Sequence, residues 1–165
     1  MANENHINIT KKLFKMNKEF FKSIMTTQIP IAWIAGVRLH KWENDSVSTK
    51  VTLGFLNQNP FKSIFWAVQG MAAEFSSGLM ASAKIQASGA NVSMLVLGMQ
   101  SKFVKKAVGR IIFTCEQGKE IDVAIQKAID TKEGVTLVVK SVGVDEQNDV
   151  VSEFEFTWTF KVREK

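Results

Sequence analysis

One cysteine, Cys115, stands in 165 residues, so the chain has neither an internal disulfide nor a cysteine-rich metal site. Histidine is almost as scarce: His6 and His40 are far apart, and with so few soft ligands no metal is expected. A glycine-rich phosphate loop, a Gly-x-Ser-x-Gly elbow and a His-Glu-x-x-His pair are all missing. Nothing points to a Ser-His-Asp or Cys-His triad. The first residues lack a basic start followed by an apolar run, so no signal peptide is expected and a cytoplasmic setting follows. One stretch, 63–82, uncharged except for Glu74, reaches the length of a membrane span. It is diluted by Ser63, Gln69, Gly70, Glu74, Ser76, Ser77, Gly78 and Ser82, which argues against one. No repeat, low-complexity tract or linker divides the chain, which reads as one domain over 1–165.

What is present fits a globular protein. The residues are 45% hydrophobic and 22% charged, and a chain of this length buries roughly two thirds of its unfolded surface. The formal charge is +5. Lys11, Lys12, Lys15, Lys18 and Lys22 crowd the first helical segment, and Lys102, Lys105, Lys106 and Arg110 form a second group. Such groups are usually solvated surface; a phosphate-bearing ligand or an anionic membrane is the alternative. No recognition motif accompanies the charge, so nucleic acid is not expected, and neither is membrane contact.

Periodicity gives the element order. Leu13, Phe14, Met16, Phe20, Phe21, Ile24 and Met25 recur at helical spacing, predicting an amphipathic helix over 8–25, with 1–7 frayed. Residues 33–42 alternate like a strand. Val47, Thr49, Val51, Leu53 and Phe55 then line one face of a second strand. A long helix follows over about 63–82, with Asn59 or Ser63 as candidate caps. Strands are predicted over 92–99, 108–115 and 135–144, with a short helix over 121–129 marked by Ile121, Ile125 and Ile129. In the last strand Phe154, Phe156, Trp158, Phe160 and Val162 alternate with polar residues, the pattern of an antiparallel strand with one wet face. The fold class is therefore α+β: a curved antiparallel sheet wrapped around one long helix, with a second subunit supplying the burial one sheet cannot.

Within that helix, Phe65, Val68, Ala72, Phe75 and Leu79 share one face. Ser63, Ala67, Gly70, Glu74, Ser77 and Gly78 share the other. A stripe of small residues leaves room for a ligand or for the close approach of another backbone. Glu74 is its one carboxylate. A buried carboxylate costs several kcal/mol unless it is paired, hydrogen-bonded or protonated. Either Glu74 does chemistry or a polar partner satisfies it. An apolar cleft raises the pKa of a carboxyl group, making it a better base near neutrality.

The segment from Asn59-Pro-Phe-Lys-Ser through Trp66 and Gly70 to Glu74, in this order of elements, resembles the hotdog-fold acyl-CoA thioesterases. It looks closest to the phenylacetate-pathway (PaaI-like) group and its uncharacterised thioesterase-like relatives. The resemblance covers the chain after residue 30. It implies that Glu74 is the base or nucleophile, that Asn59 places substrate or water, and that the backbone N–H of Trp66 polarises the thioester carbonyl. Trp66 and Ala67 stand where the family usually has Gly-Gly, and Phe65 replaces a His or other residue seen in some relatives. Ser77 lies within one residue of a water-orienting hydroxyl position. Ser63, Phe65, Ala67, Gly70 and Gly78 would line the substrate site, with Lys102, Lys105, Lys106 and Arg110 near coenzyme A phosphates. In such proteins acid and oxyanion donor come from different subunits of a homodimer, and dimers pair into tetramers in some cases. Coenzyme A would enter as part of the substrate, an acyl thioester, with no separate cofactor.

Three readings compete: an acyl-CoA or acyl-carrier thioesterase, a non-catalytic acyl- or lipid-binding module, or a purely structural role for Glu74. The indole at position 66, where relatives have glycine, favours the second.

Overall fold

A computed structural model describes residue 19 and residues 21–163. The expected helix over 8–25 therefore falls largely outside the described residues, as do His6 and four of the five N-terminal lysines. Its described end, α1 (21–27), is helical and buries Phe21 and Met25. The Phe21 ring meets Phe75 edge-on, with centroids 6.4 Å apart.

The chain continues through α2 (Pro30–Ile34), β1 (Arg38–Trp42), β2 (Val47–Thr52), α3 (Trp66–Ser88), β3 (Val92–Phe103), β4 (Arg110–Cys115), α4 (Gly118–Thr131), β5 (Val135–Val144) and β6 (Val150–Val162). The strands form one antiparallel sheet in the order β1-β2-β4-β5-β6-β3. The sheet curves around α3, so the α+β architecture expected from the periodicity is the one observed.

Three local expectations are corrected. Part of the strand predicted over 33–42 is the helical turn α2. Pro30 sits in its first turn, where a missing N–H costs nothing, and Gly36 reverses the chain at φ +91°. Arg38 ties this turn to β1 by donating to the Trp33 and Val37 carbonyls and stacking 3.5 Å over the Trp33 ring. Phe55 is not on the face of β2; it is 85% exposed in a turn closed by the Asn57 side chain, which accepts from the Gly54 amide at 2.8 Å. The long helix begins at Trp66 and ends at Ser88, beside Gly89 in the left-handed conformation. Neither Asn59 nor Ser63 caps it, because Asn59 Oδ1 is engaged by its own turn.

α3 is held close against the sheet. Thr49 Oγ1 donates to the Ala72 carbonyl at 2.5 Å, and Ser76 and Ser141 share a hydrogen bond at 2.8 Å. A Cβ added at Gly70 would meet the Phe154 ring at 3.5 Å; one at Gly78 would meet Trp158 at 3.2 Å. Both glycines are therefore part of the small-residue stripe that admits the sheet. Val68, Ala72, Phe75 and Leu79 are buried as expected, together with Phe154, Phe156, Trp158 and Phe160 from β6. Cys115 is a buried core residue whose thiol burial pushes up to about 11, leaving it inert.

Gly143 on β5 faces Phe113 so closely that an added Cβ would lie 2.4 Å from the ring. Gly143→Ala is expected to lower stability by about 1–3 kcal/mol, because a fully packed core has no room to yield. Gly54→Ala, with nothing within 4 Å, should change it by less than about 0.5 kcal/mol. Urea unfolding of the two variants checks the contrast.

Candidate active site

Glu74 lies on the Gly70–Gly78 line of α3, partly buried. Its Oε1 would be 3.0 Å from a Cβ at Gly78, the same position that would touch the Trp158 indole. The absence of that Cβ lets carboxylate and indole share one site. Burial raises the Glu74 pKa to about 7, with no hydrogen bond or neighbouring charge contributing. This is an acid held beside an aromatic wall and left without a donor among the described residues.

Ser77 sits one turn on and is fully buried. Its hydroxyl donates to the Glu74 backbone carbonyl at 3.1 Å and accepts from Trp158 Nε1 at 3.1 Å. In this arrangement the serine fixes the indole beneath Glu74 and has no hydrogen left for water.

Asn59 belongs to a tight loop before α3. Its Oδ1 accepts from the Phe61 and Ser63 amides and from the Ser63 hydroxyl, at 2.9, 3.2 and 3.2 Å. Only its Nδ2 remains to meet a ligand. Ser63 is buried by the same contacts. The Phe65 amide donates to the Asn57 carbonyl at 2.8 Å, so the first amide of the helix without an acceptor among the described residues is that of Trp66. The Trp66 indole is 53% exposed and packs edge-on against Phe65, centroids 5.6 Å apart. Ala67 is partly buried behind it.

A groove of about 360 Å3 brings several expected residues together: Asn59, Ser63, Trp66, Lys105 and Lys106, with Gln69 and Phe103 completing its wall. Glu74, Ser77 and Gly78 do not line it. From Trp66 to Glu74 the helix rises about 12 Å, so one chain does not bring base and amide together. Of the basic group, Lys105 is neutralised by Asp145 and Asp149 at 2.5 and 2.8 Å, and Arg110 by Glu146 at 3.1 Å. Lys102 lies on β3 opposite Glu153, and Lys106 is exposed. His40 is exposed on β1 and does not line the groove, its pKa lowered by desolvation and then by Lys50, Arg110 and Lys41. Among the described residues no three His, Cys, Asp or Glu side chains gather as a metal site.

Two supports were not read from the sequence. Asn57 is buried and fully used: Nδ2 donates to the Ala35 and Thr52 carbonyls at 2.9 Å each, while Oδ1 takes the Gly54 amide. Gln69 is buried too, donating to the Ile64 carbonyl at 3.0 Å and accepting from Ser152 at 2.9 Å. They fix both ends of the loop that carries Asn59. Each has one partner on a remote segment, Ala35 for Asn57 and Ser152 for Gln69, and no local signal announces it.

A family model described as a domain of unknown function, DUF4442, matches residues 17–160. The chain belongs to this family. Its backbone is similar to a candidate thioesterase from Shewanella oneidensis, with a TM-score of 0.77 at 8% identity, over 90% of this chain and 99% of that one. It is also similar to a candidate thioesterase of unknown function from Pseudomonas aeruginosa (TM-score 0.75, 17% identity, 90% and 95% coverage). A thioesterase from Staphylococcus aureus, solved with a glutamine replaced by alanine, matches at TM-score 0.56 and 13% identity, over 76% and 93%. The same S. aureus protein was solved with a glutamate replaced by alanine. A search of curated protein sequences finds no match. The fold of this DUF4442 chain is the hotdog fold, which it shares with these structures.

In that frame Glu74 has a measurable signature. A carboxyl whose folded pKa lies above its unfolded value stabilises the fold most when protonated, below about pH 4.5, and loses that contribution as the pH rises through about 7. Glu74→Gln should match the parent at pH 4 and exceed its stability at pH 8, by up to about 3 kcal/mol. Denaturant midpoints at the two pH values measure this.

Proposed function

We propose that the chain hydrolyses acyl-CoA or acyl-carrier thioesters, with Glu74 as general base or nucleophile at an interface between two copies. The observation that carries this reading is a partly buried carboxylate, without a donor among the described residues, whose pKa burial raises to about 7. Such a group is costly to keep unless it is used.

In the base route, Glu74 takes a proton from water as the water oxygen bonds to the thioester carbon. The carbonyl electrons move onto oxygen, where the Trp66 N–H and the positive end of α3 stabilise them. The carbon–sulfur bond then breaks, and the thiolate takes the proton from Glu74. Asn59 Nδ2, its one uncommitted polar group, places the carbonyl or the water. Ser77 acts through Trp158, holding the apolar wall that raises the pKa of the base.

A second copy completes this machinery because base and amide are about 12 Å apart along one helix. β3 offers the contact: it ends the sheet, runs for 12 residues and exposes Leu95, Leu97 and Met99. A long apolar edge strand left open invites pairing with another strand. The S. aureus comparison supports the two roles. The Gln and Glu altered there are fifteen residues apart, the spacing of Asn59 and Glu74 here.

A non-catalytic acyl-binding protein is the second reading, favoured by the Trp66 indole in the groove wall. A panel of acyl-CoA substrates assayed for free thiol separates the two. Turnover that falls at least 100-fold in Glu74→Gln supports hydrolysis; equal turnover in the variant removes Glu74 from the chemistry. Bound acyl material without turnover supports the second reading. Met99→Lys, which places a charge on the β3 edge, should yield a monomer in sedimentation and lose activity with Glu74 intact.

A further inference from the structure

Hydrogen bonds gather three segments at one end of the sheet. The Leu53 amide donates to the Gly109 carbonyl and the Ile64 amide to that of Ala107, while Asn57 joins the end of α2 through the Ala35 carbonyl. The surface they build is apolar at its tips. Phe55 is 85% exposed, Leu56 72% and Phe61 74%, with Ile34 and Val108 exposed beside them. Single exposed apolar residues are ordinary, whereas several on adjoining turns mark a contact surface.

Its unpaired charge has one sign. From Ser46 to Cys115 the sequence holds seven lysines and arginines and one acid, Glu74. Three carboxylates from another segment, Asp145, Asp149 and Glu146, reach this end and are engaged by Lys105 and Arg110. Lys62 adjoins Phe61 at the loop tip, and Lys106 lines the groove below it. Neither has an ion-pair partner among the described residues.

We propose that this end of the molecule docks on an anionic lipid surface, Phe55, Leu56 and Phe61 entering the interface while Lys62 and Lys106 meet headgroup phosphates. Apolar side chains flanked by two unpaired cations match the interfacial region of such a membrane, where burial and attraction add. A second copy on the same patch would bring like charges face to face in a two-fold contact. The proposal departs from the sequence expectation of no membrane contact because the fold brings Lys106 and Val108 beside the stretch from Phe55 to Lys62. No helix among the described residues is long and apolar enough to cross a membrane, so docking here is peripheral. The proposal stands apart from thioester hydrolysis, and its test reads lipid binding alone.

The full chain is floated on density gradients with vesicles of phosphatidylcholine, or of equal parts phosphatidylcholine and phosphatidylglycerol. Flotation is expected with the anionic vesicles only, and should be lost in molar salt, where the screening length is about 3 Å. Lys62→Gln with Lys106→Gln should weaken partitioning about tenfold, and Phe55→Ser, Leu56→Ser and Phe61→Ser together by at least as much. The latter three side chains lie outside the core, so the variant should keep the parent's circular dichroism. Absence of flotation with anionic vesicles, or flotation of both variants equal to the parent, overturns the proposal. So does a parent oligomer that the triple serine variant dissociates, since a second copy would then cover this face.

Discussion

The close seating of α3 in the curve of the sheet is the constraint on which the rest depends. A helix lies this near a sheet only where one side is nearly bare, and Gly70 and Gly78 give β6 that access. Phe154 and Trp158 fill the space the two glycines vacate. The hydroxyls of Thr49, Ser76 and Ser141 tie the layers together where a larger apolar side chain would hold them apart. Small residues on this helix thus serve packing density and polar satisfaction together.

The environment of Glu74 follows from that seating. The residue lies between the two glycines on the same line of the helix, so the packing that brings Trp158 in also strips water from the carboxylate. Every other polar group nearby is paired off: Ser77 with Trp158 and the helix backbone, Gln69 with Ile64 and Ser152. Desolvation without compensation is what raises a carboxyl pKa. A stripe able to admit either a ligand or a neighbouring element does the second along its glycines and leaves Glu74 as the one polar group open to the first.

Much of this was legible because the strong signals were periodic. β6 alternates cleanly, and Phe154, Phe156, Trp158 and Phe160 are all buried; Ile121 and Ile125 likewise mark the inner face of α4. A charge inside an apolar run stood out at Glu74 for the same reason. Shorter features escaped. α2 has five residues, too few for a helical period, and its continuous apolar run leads into the alternation of β1. Phe55 continued the alternation of β2 on paper, but the side chain of Asn57 closes a turn there. The loop supports Asn57 and Gln69 were invisible because each needs a partner from a remote segment, the Ala35 carbonyl for one and the Ser152 hydroxyl for the other.

The division of labour within one chain follows from helix geometry. A helix N-terminus offers free amides at its first turn and nowhere else, while a desolvated acid needs the helix middle, where packing is deepest. One straight helix therefore cannot place its own amide and its own carboxylate on the same small carbonyl. Two antiparallel copies can, since a two-fold axis sets the start of one helix beside the middle of the other. On the proposed reading, the open β3 edge and the isolation of Glu74 answer one geometric limit: a chain that splits these functions along a helix needs an edge through which to reunite them.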